Sequence, residues 1–449
     1  MSTTAKPKSA IPSLGDLTAM WQASGLKEKL LFTIIAIVVF RFGAQIPIWG
    51  ASPEIAKFLA QQGQGALLGL LDMFSGGALS RVSVLALGIG PYITASIIMQ
   101  LLTVVIPRLE ELQKEEGEQG RRKISQYTRY LTVGLAMLQG TLFVKFITSM
   151  GASALAPGVE PWLFFPLAVL CLTAGAVFSL WLAEMITERG VGNGGSLLIF
   201  VGIITQIPVF AKQTAELVGS DPQKSFNLVV LLAIYLACIG LIIILQEAVR
   251  KIFIVSAKRQ VGNKMYGGQN SFIPFKINPA GVMPIIFAYA ILAFPMQIVQ
   301  FVGPNATGFM AEVVTFFNRY FAFGQPLALL TEFVMIVFFT FFYASIIPSM
   351  QPREIAKNLQ KYGSSIPGIK PGKPTADKLE QILTRTTFIG AFGLAFITLL
   401  ASLATTIADI RVLQGLGSTS LIIMVGVALD TMNQIRVHLL ARQYEGFLR

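Results

Sequence analysis

The chain has 449 residues, of which 54% are hydrophobic and only 13% charged, and it carries a formal net charge of +12. Soluble domains need about 25% charged residues to solvate their surface, so this composition excludes a water-soluble globule. The apolar residues also fall into blocks, and a bilayer core of about 30 Å needs roughly 20 of them at 1.5 Å each.

In chain order the blocks cover 30–48, 82–106, 125–150, 161–183, 194–211, 226–247, 279–302, 326–347, 384–407 and 417–431. They predict an all-α polytopic membrane protein of ten spans. A polar stretch precedes the first block with no small-residue cleavage site after it, which predicts a retained span. Cys171 and Cys238 each fall inside a block and read as small buried hydrophobes, with no disulfide or metal framework.

Charge gives the orientation. Arg108, Lys114, Arg121, Arg122 and Lys123 crowd one loop; Arg250, Lys251, Lys258, Arg259, Lys264 and Lys276 another; Arg353, Lys357, Lys361, Lys370, Lys373 and Lys378 a third. The alternate loops hold little beyond Lys57, Lys212, Lys224, Arg319 and Arg411. Lys and Arg accumulate on the cytosolic side, so the basic loops and both termini are expected there.

Between the first two blocks, the apolar stretch 66–74 would make a helix of only about 13 Å, too short to cross. Gly76–Gly77 breaks it. It is either an interfacial helix or a re-entrant segment in a water-filled vestibule, where irregular backbone is tolerated.

Ionisable residues in or beside the blocks, among them Arg41, Glu184, Glu247, Glu332 and Asp430, lie nearer block ends than middles. A coupled transporter keeps such groups at mid-membrane. There is no Walker phosphate loop, no HExxH, and the single histidine, His438, has no nucleophile motif beside it. No enzyme, catalytic residue or metal site is indicated. A channel driven from elsewhere remains, with a secondary transporter for a small polar solute as the alternative.

Two basic loops weigh toward the channel. Residues 250–276 flank turn signals at 262–263 and 267–268 with β-branched and aromatic residues, predicting a projecting hairpin. Residues 351–378 predict a helix over 353–362 and a Pro/Gly-rich extended tip. Such loops either bind anionic headgroups or dock a negatively charged partner.

The strings MFSGGALSRVSVLALGIGPYITASIIMQLL from Met73, EEGEQGRRKISQYTRYLT from Glu115, ITERGVGNGGSLLIF from Ile186, INPAGVMPIIFA from Ile277 and QPREIAKNLQKYGSSIPGIKPG from Gln351 resemble the SecY family, the pore subunits of the Sec protein translocon. The resemblance runs in family order over essentially the whole chain. It implies two inverted five-helix halves, 1–215 and 216–449, around an hourglass pore. The short segment, with Leu67, Leu68, Leu71, Met73 and Phe74, maps to the family's plug. The pore ring maps to Ile89, Ile93, Ile199, Ile286 and Ile423, with Gly195 where many relatives carry a ring isoleucine, so that a looser collar is expected there. Thr94, Gln139 and Asn278 map to the polar positions of the lateral gate, although Asn278 before Pro279 also reads as a helix N-cap.

The same resemblance makes Arg250, Lys251, Lys258, Arg259, Arg353 and Lys357 a docking surface for the SecA motor and the ribosome. It implies SecE and SecG as companion subunits, unfolded preprotein as substrate, and the bacterial plasma membrane or the thylakoid as location. No cofactor is implied, since energy comes from the motor ATPase, the ribosome or the membrane potential.

Overall fold

The computed structural model describes residues 25–62, 72–114, 117–149, 155–220, 222–256, 259–261, 264–266, 270–303, 307–321, 325–346, 351–408 and 418–446. Eight helices among these are long and apolar enough to cross a membrane. They are α5 (Gly117–Thr148), α6 (Pro161–Arg189), α7 (Gly194–Ser220), α8 (Pro222–Glu247), α9 (Met283–Val302), α11 (Pro326–Ile346), α13 (Lys373–Ala408) and α14 (Ser418–Gly446).

Two further helices stand where the remaining two expected spans lie. Helix α1 (Leu26–Gly43) is interrupted by Lys27, Glu28, Lys29 and Arg41, yet it exposes Leu31, Ile34, Ile35 and Val38. Exposed apolar side chains in such number suit a lipid-facing wall and not a wet surface. Helix α3 (Gly90–Val105) has 16 residues, about 24 Å at 1.5 Å each, and falls short of the bilayer core.

That shortness corrects the second predicted span, which ran from 82 to 106. The Ile48 N–H donates to the Val82 carbonyl (2.9 Å) and the Val84 N–H to the Ile46 carbonyl (2.9 Å). The backbone of 82–84 is therefore paired with the chain just past α1, and the buried run to Ile89 proceeds in turns. Helix begins only where Gly90 is followed by Pro91, a residue suited to a first helical turn.

One apolar cluster joins residues of both predicted halves, among them Phe40, Ile97 and Ile199 with Phe287, Leu394 and Ile422. A second lies among α2 (Pro53–Gln62) and the segment before it, α3's approach, α5 and α6, with Phe301 of α9. The short helices α4 (Pro107–Lys114) and α10 (Phe309–Tyr320) lie between spans.

The two basic loops form one head. Strands β1 (Val249–Ser256) and β4 (Asn270–Lys276) make the expected antiparallel hairpin, and β2 (Arg259–Val261) pairs with β3 (Lys264–Tyr266) across positions 262–263. From the other loop, β5 (Ser364–Ser365) adds to the free edge of β1 through Val255 and Ser256. Helix α12 (Pro352–Lys361) matches the predicted helix to within a residue. Ile252, Phe275, Ile366, Leu379 and Ile382 close a small core beneath. The sequence reading kept these loops separate, because β5 is two residues long and its partner lies over 100 positions away.

Candidate functional site

The residues that the resemblance assigns to a pore ring arrive from four elements. Ile89 and Ile93 stand one turn apart at the start of α3, Gly195 and Ile199 at the start of α7, Ile286 on α9 and Ile423 on α14. Ile89, Ile199, Ile286 and Ile423 are buried in one apolar cluster with Ile93 packed against it. Four of them, Ile89, Ile93, Ile199 and Ile286, line a single cavity of about 80 Å³ together with Phe74 and Leu79.

Gly195 is buried, and a Cβ there would meet Ile89 Cδ1 at 3.4 Å and Tyr92 Cε1 at 3.8 Å. A Cβ alone would therefore sit in ordinary contact with Ile89 and Tyr92 at this point.

Of the plug residues, Leu67, Leu68 and Leu71 lie outside the described residues. Met73 is fully buried and Phe74 half-buried against the collar cluster. The segment is seated on the first half by its backbone. Gly202 of α7 has no side chain where a Cβ would stand 2.8 Å from the Met73 carbonyl oxygen and 3.0 Å from that of Phe74. Arg41 of α1 donates to the Gly76 carbonyl, the Ser80 N–H donates to Asp72 Oδ1 (2.8 Å), and Gln206 Nε2 donates to Asp72 Oδ2 (3.4 Å). Toward the second half, Phe74 meets the ring of Tyr289, centroids 5.3 Å apart.

The three predicted gate residues are not brought together. Thr94 and Gln139 line the cavity of Ile89 and Ile93, which Phe294 and Gln297 of α9 also line. Asn278 lines a different cavity at the base of the basic head, with Gln246, Lys276 and Asp430. Nor does it cap α9, which starts five residues later. Its side-chain N–H donates to the Gly281 carbonyl (2.8 Å), and Gly281 at φ +62° turns the chain before the helix begins. At the opposite end of the seam the ring of Phe301 sits 5.6 Å from Phe143 and 5.4 Å from Phe146, both on α5.

On the head, Arg250, Lys251, Arg353 and Lys357 are exposed, the last two one turn apart on α12 above its buried Ala356 and Leu359. Lys251 Nζ lies 5.0 Å from the Phe272 ring centroid, a cation–π contact across β1 and β4. Arg259 is on β2, and Lys258 lies outside the described residues. Among the described residues no group of His, Cys, Asp and Glu is placed to hold a metal ion.

A family model described as SecY matches residues 83–432. The chain is 44% identical over 434 residues to the protein translocase subunit SecY of Synechocystis, covering 96% of each. The chain belongs to the SecY family.

Solved structures share the family's fold at low identity. One, described as SecY with a plug domain that stabilises the closed state and maintains a membrane seal, superposes with a TM-score of 0.65 at 17% identity over 92% of both chains. Another, Sec61 in a canine ribosome–channel complex, does so with a TM-score of 0.57 at 16% identity over 91% of this chain and 92% of that one. The secondary-transporter alternative gains nothing from relatives of these descriptions.

Sequence reasoning missed Gly202, Gln206, Tyr289, Gln297 and Phe301. Only Arg41 carried a signal, as a charge inside an apolar block. The others are ordinary residues of apolar helices, whose role depends on contacts with segments more than 120 positions away.

Proposed function

We propose that this chain is the protein-conducting subunit of a translocon, which passes unfolded preproteins through the collar and releases apolar segments sideways between α3 and α9. The observation that carries this reading is the convergence of Ile89, Ile93, Ile199 and Ile286 with Phe74 on one cavity at the junction of the predicted halves. Side chains from both halves form that ring, so parting them opens it. The same motion exposes a seam whose polar contacts, at about 0.6–2 kcal/mol each, yield to an apolar helix that prefers lipid.

The exposed cations of the head suit an acidic partner or RNA more than lipid, because the sheet and α12 lift them onto a structure with its own core. Motor ATPase and ribosome are the partners proposed for it, with SecE-like and SecG-like subunits beside the spans. The head faces the cytosol in this reading, as the positive-inside rule requires. Reconstitution tests the whole: vesicles holding the complex, given motor, ATP and an unfolded preprotein, are expected to protect that preprotein from added protease. Vesicles that import a small polar solute instead, with no protected preprotein, would overturn the proposal.

A further inference from the structure

Helix α10 joins the gate helix α9 to α11 on the face opposite the basic head. At 100° per residue Phe309, Val313, Phe316 and Tyr320 fall on one side, and Glu312, Thr315, Asn318 and Arg319 on the other. None of its residues is buried, and Phe309 is 79% and Phe316 50% exposed. An apolar stripe of that kind on a wet surface is unfavourable, so something covers it.

The neighbouring contacts say what does. Only a few residues of chain separate α10 from the ends of α9 and α11, which keeps it at the level where those spans leave the membrane. Leu327 and Leu330 at the start of α11 are exposed as well, as suits a span facing lipid. Arg319 stands over the edge of the stripe, 5.8 Å from the Tyr320 ring centroid, as a cation at headgroup level does. Val314 packs on the end of α9, 3.4 Å from where a Cβ of Gly303 would lie.

We propose that α10 lies flat in the bilayer interface, with Phe309, Phe316 and Tyr320 sunk to the acyl boundary, and that it anchors the outer end of the gate helix α9 at that depth. The occupant of the stripe is lipid. That half of the claim stands apart from the channel reading; only the word gate rests on it.

The test uses the intact complex in liposomes, without substrate. A nitrobenzoxadiazole probe on Phe316→Cys is compared with one on Asn318→Cys, in bilayers brominated either just below the headgroups or at the chain ends. The Phe316 probe is expected to emit at shorter wavelength and to be quenched at least 2-fold more than the Asn318 probe, chiefly by the shallow bromines. If the Phe316 variant fails to fold, Tyr320→Cys gives the same comparison. Water-like emission without quenching at the apolar position would overturn the proposal, and so would short-wavelength emission without quenching, which means a protein cover.

Discussion

Phe74 and Tyr289 meet across the seam of the molecule, ring centroids 5.3 Å apart and planes tilted by 58°. On the side of the first half, the residues beside Phe74 meet Gly202 and Gln206 on α7 and Arg41 on α1. Among the described residues the contacts toward the first half are polar and backbone ones, and the ring contact toward the second is aromatic.

Gly202→Val is expected to unseat the plug. Its new Cβ would lie 2.8 Å from the Met73 carbonyl oxygen, a backbone atom that cannot swing aside. Planar-bilayer recording of the purified complex should show a higher resting ion conductance. In a chain from which residues 66–74 are deleted, the same substitution should add nothing. An added leak there would show that Gly202 acts through the collar and not through the plug.

For the collar itself, Ile93→Gly should raise resting conductance by removing a side chain that lines the cavity. Gly195→Ala should leave conductance and stability near the parent, since a Cβ meets its nearest atoms at 3.4 Å. Gly195→Ile must push Ile89 aside, at a cost of about 1–3 kcal/mol, and should not tighten the seal. Conductance below the parent's in that variant would mean that the space before Gly195 is open after all.

Phe301 is 3% exposed and lies between Phe143 and Phe146. Aromatic pairs contribute about 0.5–1.5 kcal/mol each beyond their buried area. Phe301→Ala should therefore ease separation of α9 from α5, and test segments of marginal hydrophobicity should enter the bilayer more often. The fraction inserted, read by glycosylation or protease mapping, checks this; an unchanged threshold would remove Phe301 from the gate.

On the head, Arg353→Glu should cripple motor-driven translocation while the chain stays folded, because the side chain is exposed. Leu379→Ala, at a fully buried position of the head's core, should cost about 2–5 kcal/mol locally and loosen both loops together. Limited proteolysis distinguishes the two: the second variant should be nicked in 250–276 faster than the parent, the first should not. Single cysteines at Lys264 and Lys370 should be labelled by an impermeant thiol reagent from one side only, the cytosolic one.

How far the sequence could be read depended on what kind of contact held each part. Hydropathy located nearly every span, because a block of apolar residues in lipid must satisfy its backbone as helix. It failed at 82–89, where Val82 and Val84 pair with Ile48 and Ile46 and protein, not helix, satisfies the backbone. That Ile89, Ile93, Ile199 and Ile286 share a cavity was legible through family motifs and not through chemistry, since Ile286 differs in no local way from Ile285. Asn278 misled for the same reason: its motif was recognisable, but its place is fixed by the turn at Gly281. The union of the basic loops was illegible, because the pairing of Ser364 and Ser365 with β1 leaves no trace in composition.

The central claim is that the polypeptide passes through the collar. Single cysteines at Ile93, Ile199 and Ile286 should each form a disulfide with a cysteine in a preprotein arrested in transit, whereas Leu31→Cys, on the exposed wall of α1, should not. Arrested chain that is protected from protease yet joins none of the three collar positions would contradict the account.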